Sequence, residues 1–238
     1  MPWSWTPKRS HEPELMDFPG LPEPEVVEAY RVLRRVNRLF GNLASMRREV
    51  ERMLVEDRFQ RREHVLTILD VGSGSGDIPR DLLDQLGKRN QAARICSLDR
   101  DHRAVLLARE SGLHVLAGDA LRLPFGDGSL DLVTAVKFAH HFSGKHLLQL
   151  LVEMARVARH RVLILDIRRH WVAYCGFVAW SWVFTRNRLV RHDGSLSILR
   201  GFTASELVAL SATIGDFEWK VRGYPGFQLA LVGRRIAS

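Results

Sequence analysis

Cysteine is scarce in this chain, since Cys96 and Cys175 are the only two among 238 residues. Two cysteines cannot build a disulfide framework, and these two do not have the spacing of metal ligands. Cys96 falls in an apolar run, where cysteine usually serves as a small buried side chain. We therefore expect reduced thiols, a cytoplasmic location and no bound metal.

Long apolar runs are also lacking. The most apolar uncharged stretch, residues 171–184, is shorter than the roughly 20 residues that a helix needs to cross a bilayer. The first residues are polar and rich in proline, unlike a secretory signal peptide. We expect a chain that does not span a membrane, while peripheral contact of the 171–184 stretch with a membrane surface stays open.

Acidic residues are the minority, with 27 Asp and Glu against 35 Lys and Arg, so the formal net charge is +8. Such a balance fits a nucleic-acid partner, an anionic membrane surface or simple solubility. The excess is mostly arginine spread along the chain, which favours a solvated basic surface over a nucleic-acid groove. The length and the 46% hydrophobic content fit one α/β domain with additions.

The N-terminal part divides into two segments. Residues 1–23 hold five prolines, so we predict an irregular and mobile segment. In residues 24–63, apolar residues recur at helical spacing, and Gly41 with Asn42 separates two helices at about 24–40 and 44–62. We expect a helical hairpin whose arginines are solvated, although such a face can also bind phosphate or anionic lipid.

From residue 64 to residue 238, strand and helix patterns alternate, which is typical of a Rossmann-like α/β fold with a doubly wound parallel sheet. The last two strands are separated only by Tyr224-Pro225-Gly226 and must therefore pair antiparallel. Helices are predicted at 78–87, 102–111, 145–158 and 203–214. The seven predicted strands are 65–70, 94–99, 113–117, 131–136, 161–166, 217–224 and 227–234.

The strongest local pattern is Ile68-Leu69-Asp70-Val71-Gly72-Ser73-Gly74-Ser75-Gly76-Asp77, a strand, a glycine turn and a helix start with Asp77 as a candidate N-cap. Glycine permits positive φ and lets a ligand approach the backbone. The spacing G-x-G-x-G differs from the G-x-G-x-x-G of pyrophosphate-binding turns. Acids at both ends of the turn disfavour a phosphate and favour a ligand with cationic groups, such as the sulfonium and ammonium of S-adenosylmethionine.

Other strand ends on the same edge of the sheet carry polar groups, and ligands bind beyond the carboxyl ends of parallel strands. Strand two ends at Asp99, which can accept hydrogen bonds from ribose hydroxyls, while Asp101 is the better cap for the next helix. Strand three is followed by Gly118-Asp119-Ala120, where the acid can accept from an adenine amino group. Strand four continues into Lys137-Phe138-Ala139-His140-His141-Phe142.

Together, these blocks resemble a class I S-adenosylmethionine-dependent methyltransferase, and in particular the small-molecule methyltransferases similar to those of ubiquinone and menaquinone biosynthesis. The resemblance covers about residues 65–170 and rests on 69–76, 98–99, 118–120, 123–125, 129–133 and 140–142. It implies S-adenosyl-L-methionine as the cofactor. It also assigns cofactor contacts to Asp70, Gly72, Ser73, Gly74, Gly76, Asp99, Arg100, Asp119, Ala120, Val136 and Lys137.

Lys137 departs from the small or neutral residue that the resemblance implies at the end of strand four. A cation beside a sulfonium is unfavourable, so we expect the lysine side chain to point away from the cofactor.

Three histidines are candidates for the general base that methyl transfer to a hydroxyl requires. His140 and His141 follow strand four, near where the methyl group should emerge, and His192 lies on the far side of the expected pocket. Either histidine of the pair can instead pack structurally. Asp166, at the end of strand five, is a further base candidate or orients a neighbouring arginine. Three histidines with one acid suggest a metal site, but no ligand spacing supports one.

Residues 168–202 are rich in aromatic side chains, which can belong to the core, line a substrate pocket as a lid, or touch a membrane. No Asn-Pro-Pro-Tyr-like tetrapeptide follows strand four, which weakens methylation of nucleic-acid bases or protein amides. We predict methyl transfer to a small aromatic, quinone or polyketide-like acceptor, with oxygen as the favoured atom. The alternatives are an RNA methyltransferase and a non-enzymatic partner-binding module on the same fold.

Overall fold

A helical hairpin precedes the sheet in the computed structural model, which describes residues 5–56 and 65–236. It consists of α1 (Glu23–Leu39) and α2 (Asn42–Glu56). Gly41 joins them at φ 80°, a conformation that glycine adopts without steric cost. The hairpin prediction is confirmed up to residue 56, and the rest of the predicted second helix lies outside the described residues.

Seven strands form one sheet in the order β3-β2-β1-β4-β5-β7-β6. The first five run parallel, while β7 pairs antiparallel with both β5 and β6, as predicted. The carboxyl ends of β1, β2, β4 and β5 therefore meet at one edge. The strands are β1 (Leu66–Val71), β2 (Ala93–Asp99), β3 (His114–Ala117), β4 (Leu130–Val136), β5 (Ala158–Ile167), β6 (Phe217–Tyr224) and β7 (Gln228–Arg235).

Helices cover both faces of this sheet. Because of this, the centre of β5 is fully buried: Val162, Leu163, Ile164 and Leu165 each have 0% exposure. The predicted core helices are present with boundaries shifted by a few residues. They are α3 (Asp77–Lys88), α4 (His102–Glu110), α5 (Gly144–Val157) and α8 (Ala204–Ser211), and the aromatic segment adds α6 (Trp171–Phe184) and α7 (Arg188–Arg200).

The aromatic segment packs partly into a separate apolar cluster with α1, which includes Val26, Phe177 and Leu189. The contact between α6 and α7 depends on Gly194, since a Cβ there would lie 2.2 Å from the Phe177 ring. At its C-terminal end, α6 exposes Trp182, Val183 and Phe184. Within the described ranges, no helix combines the length and the apolar character that crossing a membrane demands.

The described part of the proline-rich N-terminus packs against α7, in contrast to the predicted mobile segment. It contains a short 3-10 helix, Leu15–Asp17. The backbone N–H groups of Leu15 and Met16 donate to the Asp193 carboxylate at 2.8 and 2.9 Å. Arg200 donates to the carbonyl of Glu12 at 2.7 Å. The prolines prevent regular backbone hydrogen bonding in this segment. Side chains of α7 therefore supply hydrogen-bond partners for its backbone groups.

Candidate functional site

The glycine turn after β1 is held in left-handed backbone geometry, with φ of 70°, 54° and 76° at Gly72, Gly74 and Gly76. A Cβ at Gly72 would lie 2.1 Å from the Phe138 ring, so no larger residue fits there. The helix α3 begins directly after Gly76, and Asp77 is its first residue instead of the predicted N-cap. The carboxylate of Asp77 accepts hydrogen bonds from Asn37 and Ser75 at 3.0 and 3.3 Å.

A buried acid, Asp70, and a partly buried acid, Asp99, flank this turn. The Asp70 carboxylate accepts a hydrogen bond from the Thr134 hydroxyl at 2.7 Å. Burial, together with the charges of Asp77 and Asp99, raises the pKa of Asp70 to about 7. Burial also raises the pKa of Asp99, whose two oxygens accept from the backbone N–H groups of Gly74 at 2.8 Å and Asp101 at 2.9 Å. The negative charges of Asp77 and Asp99 that raise the pKa of Asp70 also favour a bound cation.

The same turn leaves one hydroxyl without a partner. Ser73 is 8% exposed, and its Oγ atom is buried without a hydrogen bond within the described structure. A buried polar atom of this kind normally has a partner. The unpartnered hydroxyl and the facing carboxylates fit a ligand that carries both polar and cationic groups, as S-adenosylmethionine does.

The helical hairpin contacts the turn, which the sequence analysis missed. Arg34 donates to the hydroxyl and to the carbonyl of Ser75, both at 3.0 Å, although we expected its guanidinium to be solvated. The Tyr30 hydroxyl donates to Asp101 at 3.3 Å. Asp101 also accepts from the backbone N–H of Arg103 and caps α4, as predicted. The hairpin thus forms one wall of the candidate cofactor site.

The remaining residues predicted at the cofactor lie around this edge with different exposure. Ala120 and Val136 are buried, each with 5% of its surface exposed. Asp119 is exposed, and its carboxylate accepts from the backbone N–H of Leu121 at 2.9 Å. Arg100 is exposed as well, and its guanidinium lies 3.4 Å from Asp17 of the N-terminal segment.

Lys137 has a positive φ of 54° and donates its backbone N–H to Leu165 at 2.8 Å. Burial lowers the pKa of its ammonium group to about 8, against the attraction of Asp166. The electrostatic partner of Lys137 is therefore Asp166, near the end of β5.

Two consecutive histidines lie in a 3-10 helix, Ala139–His141, directly after β4. The Nδ1 atom of His140 lies 2.7 Å from Asp166, and its backbone N–H donates to the same carboxylate at 3.0 Å. The rings of His140 and His141 stack with centroids 4.5 Å apart. Asp166 thus orients His140, whereas we had expected it to act as a base or to orient an arginine.

Glu14 and Asp17 of the N-terminal segment complete a cluster with the two histidines. Glu14 lies 3.5 Å from Nε2 of His140 and 3.7 Å from Nε2 of His141, and Asp17 lies 3.4 Å from Nδ1 of His141. We call these four residues, with Asp166, the histidine cluster. Burial opposes a charge on His140, but Asp166 and Glu14 outweigh it and raise its pKa to about 9.

Arg200 and His192 belong to α7 and have separate roles. Arg200 donates to the backbone carbonyls of His140 at 3.1 Å and His141 at 2.7 Å, so it holds the 3-10 helix in place. His192 hydrogen-bonds to Asp193 at 2.8 Å, and its side chain is about half exposed. Among the described contacts, no hydrogen bond or ion pair joins His192 to the histidine cluster.

The comparisons with known proteins match the part of the chain that holds this edge of the sheet. Residues 68–161 match the family model described as "Methyltransferase domain". A 96-residue segment is 34% identical to the probable chloroplastic tocopherol O-methyltransferase of Oryza sativa subsp. japonica, over 39% of this chain and 26% of that protein. A 139-residue segment is 28% identical to the probable tRNA methyltransferase 9B of Mus musculus, over 57% of this chain and 29% of that protein.

Among solved structures, the plantazolicin methyltransferase BpumL, in complex with a pentazolic desmethylPZN analog and SAH, matches with a TM-score of 0.61. The match covers 90% of this chain and 97% of that chain, and at 12% identity it concerns the fold. The matched model covers fewer than half of the residues of this chain and shows that residues 68–161 are similar to a methyltransferase domain. The seven-stranded sheet is the fold that this chain shares with the methyltransferase structure. The chain spans less than a third of the length of the two curated relatives that it matches.

Proposed function

We propose that this protein transfers a methyl group from S-adenosylmethionine to the oxygen of a small aromatic, quinone or polyketide-like acceptor. The observation that carries the proposal is the position of the histidine cluster. Its residue His140 lies two residues after Phe138, whose ring packs on Gly72 of the glycine turn. Ionisable side chains therefore adjoin the candidate cofactor site, where an acceptor's hydroxyl would have to lose its proton.

The cofactor side is assigned to the turn and to the neighbouring strand ends. Asp99 orders the turn through the Gly74 N–H and keeps its carboxylate at the end of β2, which suits ribose hydroxyls. Ser73 offers its unpartnered hydroxyl, and Asp70 adds a buried negative charge. When bound, S-adenosylmethionine supplies an activated methyl group, and its transfer to oxygen leaves a neutral thioether while the acceptor's proton goes to solvent.

The acceptor side is assigned to the histidine cluster. His141 is its accessible histidine, with 25% of its side chain exposed against 3% for His140. Glu14 and Asp17 lie 3.7 and 3.4 Å from the two ring nitrogens of His141, so the ring is held between two carboxylates. The chain's contribution to catalysis is to align the acceptor and to promote the loss of its proton.

The nature of the acceptor is supported by the comparisons and by composition. One relative is named as a probable tocopherol O-methyltransferase, and one similar structure is a complex with a pentazolic desmethylPZN analog. Aromatic side chains on α6, including Trp171 and Tyr174, are available to line an acceptor pocket or lid in residues 168–202.

The free thiols of Cys96 and Cys175 support the cytoplasmic location that we propose.

The decisive variant is His141→Ala, compared with His146→Ala, an exposed histidine on α5. With a phenolic acceptor that the wild type methylates, we expect His141→Ala to lower kcat by at least about 100-fold, in line with the usual contribution of acid–base groups. Its affinity for S-adenosylmethionine should stay unchanged, and so should both properties of His146→Ala. Full turnover of His141→Ala would remove the histidine cluster from the acceptor side.

Methylation of tRNA is the second candidate, because one relative is named as a probable tRNA methyltransferase. In this alternative the hairpin arginines would form the phosphate-binding face, but Arg34 is engaged with Ser75. RNA binding that falls steeply as salt rises, together with methyl incorporation into tRNA, would favour this alternative. Methylation of phenols without RNA binding would favour the small acceptor.

A further inference from the structure

The histidine cluster has the donor atoms and spacing of a metal site. We propose that Glu14, His140 and His141 bind a divalent transition-metal cation, for which Zn²⁺ is the probe, and that this cation contacts the acceptor's oxygen. This inference rests on the function proposed above. No ligand spacing along the chain indicates this site, because Glu14, which precedes the N-terminal 3-10 helix, reaches the two histidines from far along the chain.

The distances agree with ligation by one ion. In a tetrahedral zinc site, ligand atoms at their usual bond lengths lie about 3.3 Å from one another. Glu14 Oε1 lies 3.5 Å from Nε2 of His140, and Glu14 Oε2 lies 3.7 Å from Nε2 of His141. One ligand atom from each of the three residues lies within 4.8 Å of the other two. By contrast, the hydrogen-bonded contact between His140 and Asp166 is 2.7 Å.

The orientation of His140 also favours a cation. When its Nδ1–H donates to Asp166, Nε2 faces the Glu14 carboxylate, and a metal ion that binds there takes the place of the Nε2 proton. Two acceptors that face each other require a proton or a metal ion between them. A carboxylate that fixes a histidine through its second nitrogen is the usual outer partner of a metal ligand. Asp166 fills that position, and it is 0% exposed.

His141 shows the same arrangement less completely. Its Nε2 faces Glu14, whereas its Nδ1 is buried without a hydrogen bond, with Asp17 at 3.4 Å. A hydrogen on Nδ1 would leave Nε2 available as a ligand, with Asp17 as the outer partner.

The cluster is closed on one side and open on the other. Glu14 and His140 are buried, while the side chains of His141 and Asp17 are 25% and 24% exposed. Catalytic zinc sites keep such an open position beside three protein ligands. A cation there lowers the pKa of a hydroxyl that contacts it, so that the O–H bond breaks and the proton leaves to solvent before oxygen bonds the methyl carbon.

The test is a calorimetric titration of tag-free, chelator-treated full-length protein with Zn²⁺. We expect one equivalent to bind. Glu14→Gln and His141→Ala should weaken binding by more than the roughly 10–100-fold that loss of an outer partner costs, and Asp166→Asn should fall within that range. The matched controls are Glu12→Gln and His146→Ala, which alter exposed residues of the same types and should bind as the wild type does.

Substitution with Co²⁺ gives a second readout, since its visible absorption reports ligand geometry and should disappear in Glu14→Gln. Thermal unfolding of the metal-free variants shows that they are folded. Absence of Zn²⁺ binding, or equal binding by Glu14→Gln and wild type, would overturn the proposal. Full methyl transfer by metal-free protein would overturn it while leaving the proposed function intact, whereas Zn²⁺ binding without binding of S-adenosylmethionine would remove only the proposed function.

Discussion

Asp166 holds His140 at two points: one carboxylate oxygen lies 2.7 Å from the ring Nδ1, and the other accepts the backbone N–H at 3.0 Å. This pair ties the end of β5 to the 3-10 helix after β4. Burial opposes the charge of Asp166, but His140 and Lys137 outweigh it and lower its pKa to about 2. The acid therefore stays ionised and fixes the orientation of the histidine.

Replacement of Asp166 by Asn is expected to destabilise the fold by about 3–5 kcal/mol, because it leaves His140 and Lys137 without their buried counter-charge. Urea unfolding followed by circular dichroism measures the loss. Asp84→Asn removes a half-exposed acid that pairs with Arg80, and it should cost less than about 1 kcal/mol. Equal effects of the two substitutions would contradict the buried pair.

The same carboxylate predicts a pH dependence. Its folded-state pKa of about 2 lies below the ordinary value of 3.8, so its contribution to stability is present above pH 3.8. That contribution should be lost as the pH falls from 3.8 through about 2, because the unfolded state then binds the proton more readily. The free energy of unfolding of Asp166→Asn should vary less over this interval than that of the wild type.

Asp99→Ala should weaken the binding of S-adenosylmethionine by at least about tenfold, a loss comparable to that of a hydrogen bond to a charged group. The reason is that its carboxylate both anchors the Gly74 N–H and stands at the end of β2. Calorimetry with purified variants measures this directly. Asp119→Ala removes the exposed acid assigned to the adenine and is compared with Asp99→Ala, which removes the acid assigned to the ribose. Unchanged affinity of Asp99→Ala would rule out its ribose role.

The affinity for S-adenosylmethionine should rise as the pH increases through about 7. Asp70 has a pKa raised to about 7 by burial and by Asp77 and Asp99, so it is partly protonated at neutral pH. A cationic ligand favours its ionised form, and binding should therefore release protons. Titrations in two buffers of different ionisation enthalpy detect this release. Asp70→Asn should bind more weakly and lose the pH dependence, and a pH-independent wild type would contradict the prediction.

The exposed end of α6 predicts binding to anionic membranes, with Trp182, Val183 and Phe184 exposed by 68, 74 and 67%. The Arg191 guanidinium lies 4.4 Å from the Trp182 ring and adds positive charge to this apolar surface. We expect Trp182→Ser with Phe184→Ser to reduce co-sedimentation with phosphatidylserine vesicles at low salt. Val208→Ser changes a separate exposed apolar residue on α8 and serves as the control. Equal co-sedimentation of all variants would contradict this surface.

Local patterns in the sequence predicted much of the scaffold. The alternation of strands and helices, the glycine turn, the Asp101 cap and the antiparallel final pair all depend on neighbouring residues, and each is present. The prediction of Asp77 as an N-cap was wrong. Gly76 is the N-cap, so the helix begins at Asp77, one residue earlier than expected.

The long-range contacts of the site could not be predicted in this way. Glu14 and Asp17 lie in a proline-rich segment, and α7 helps to hold that segment against the histidines through Asp193 and Arg200. Arg34 was read as one of several solvated arginines because nothing in its helix indicates that Ser75 lies opposite. Such contacts depend on how the elements pack, which helical periodicity does not encode.

The central claim is tested most directly by calorimetric titration of the purified protein with S-adenosylmethionine, followed by its demethylated product. We predict micromolar binding of both, weakened in Asp99→Ala, and subsequent methyl transfer to phenolic or quinone-like acceptors. Absence of binding of either compound to folded protein would contradict the assignment of the glycine turn as a cofactor site and would favour a partner-binding module.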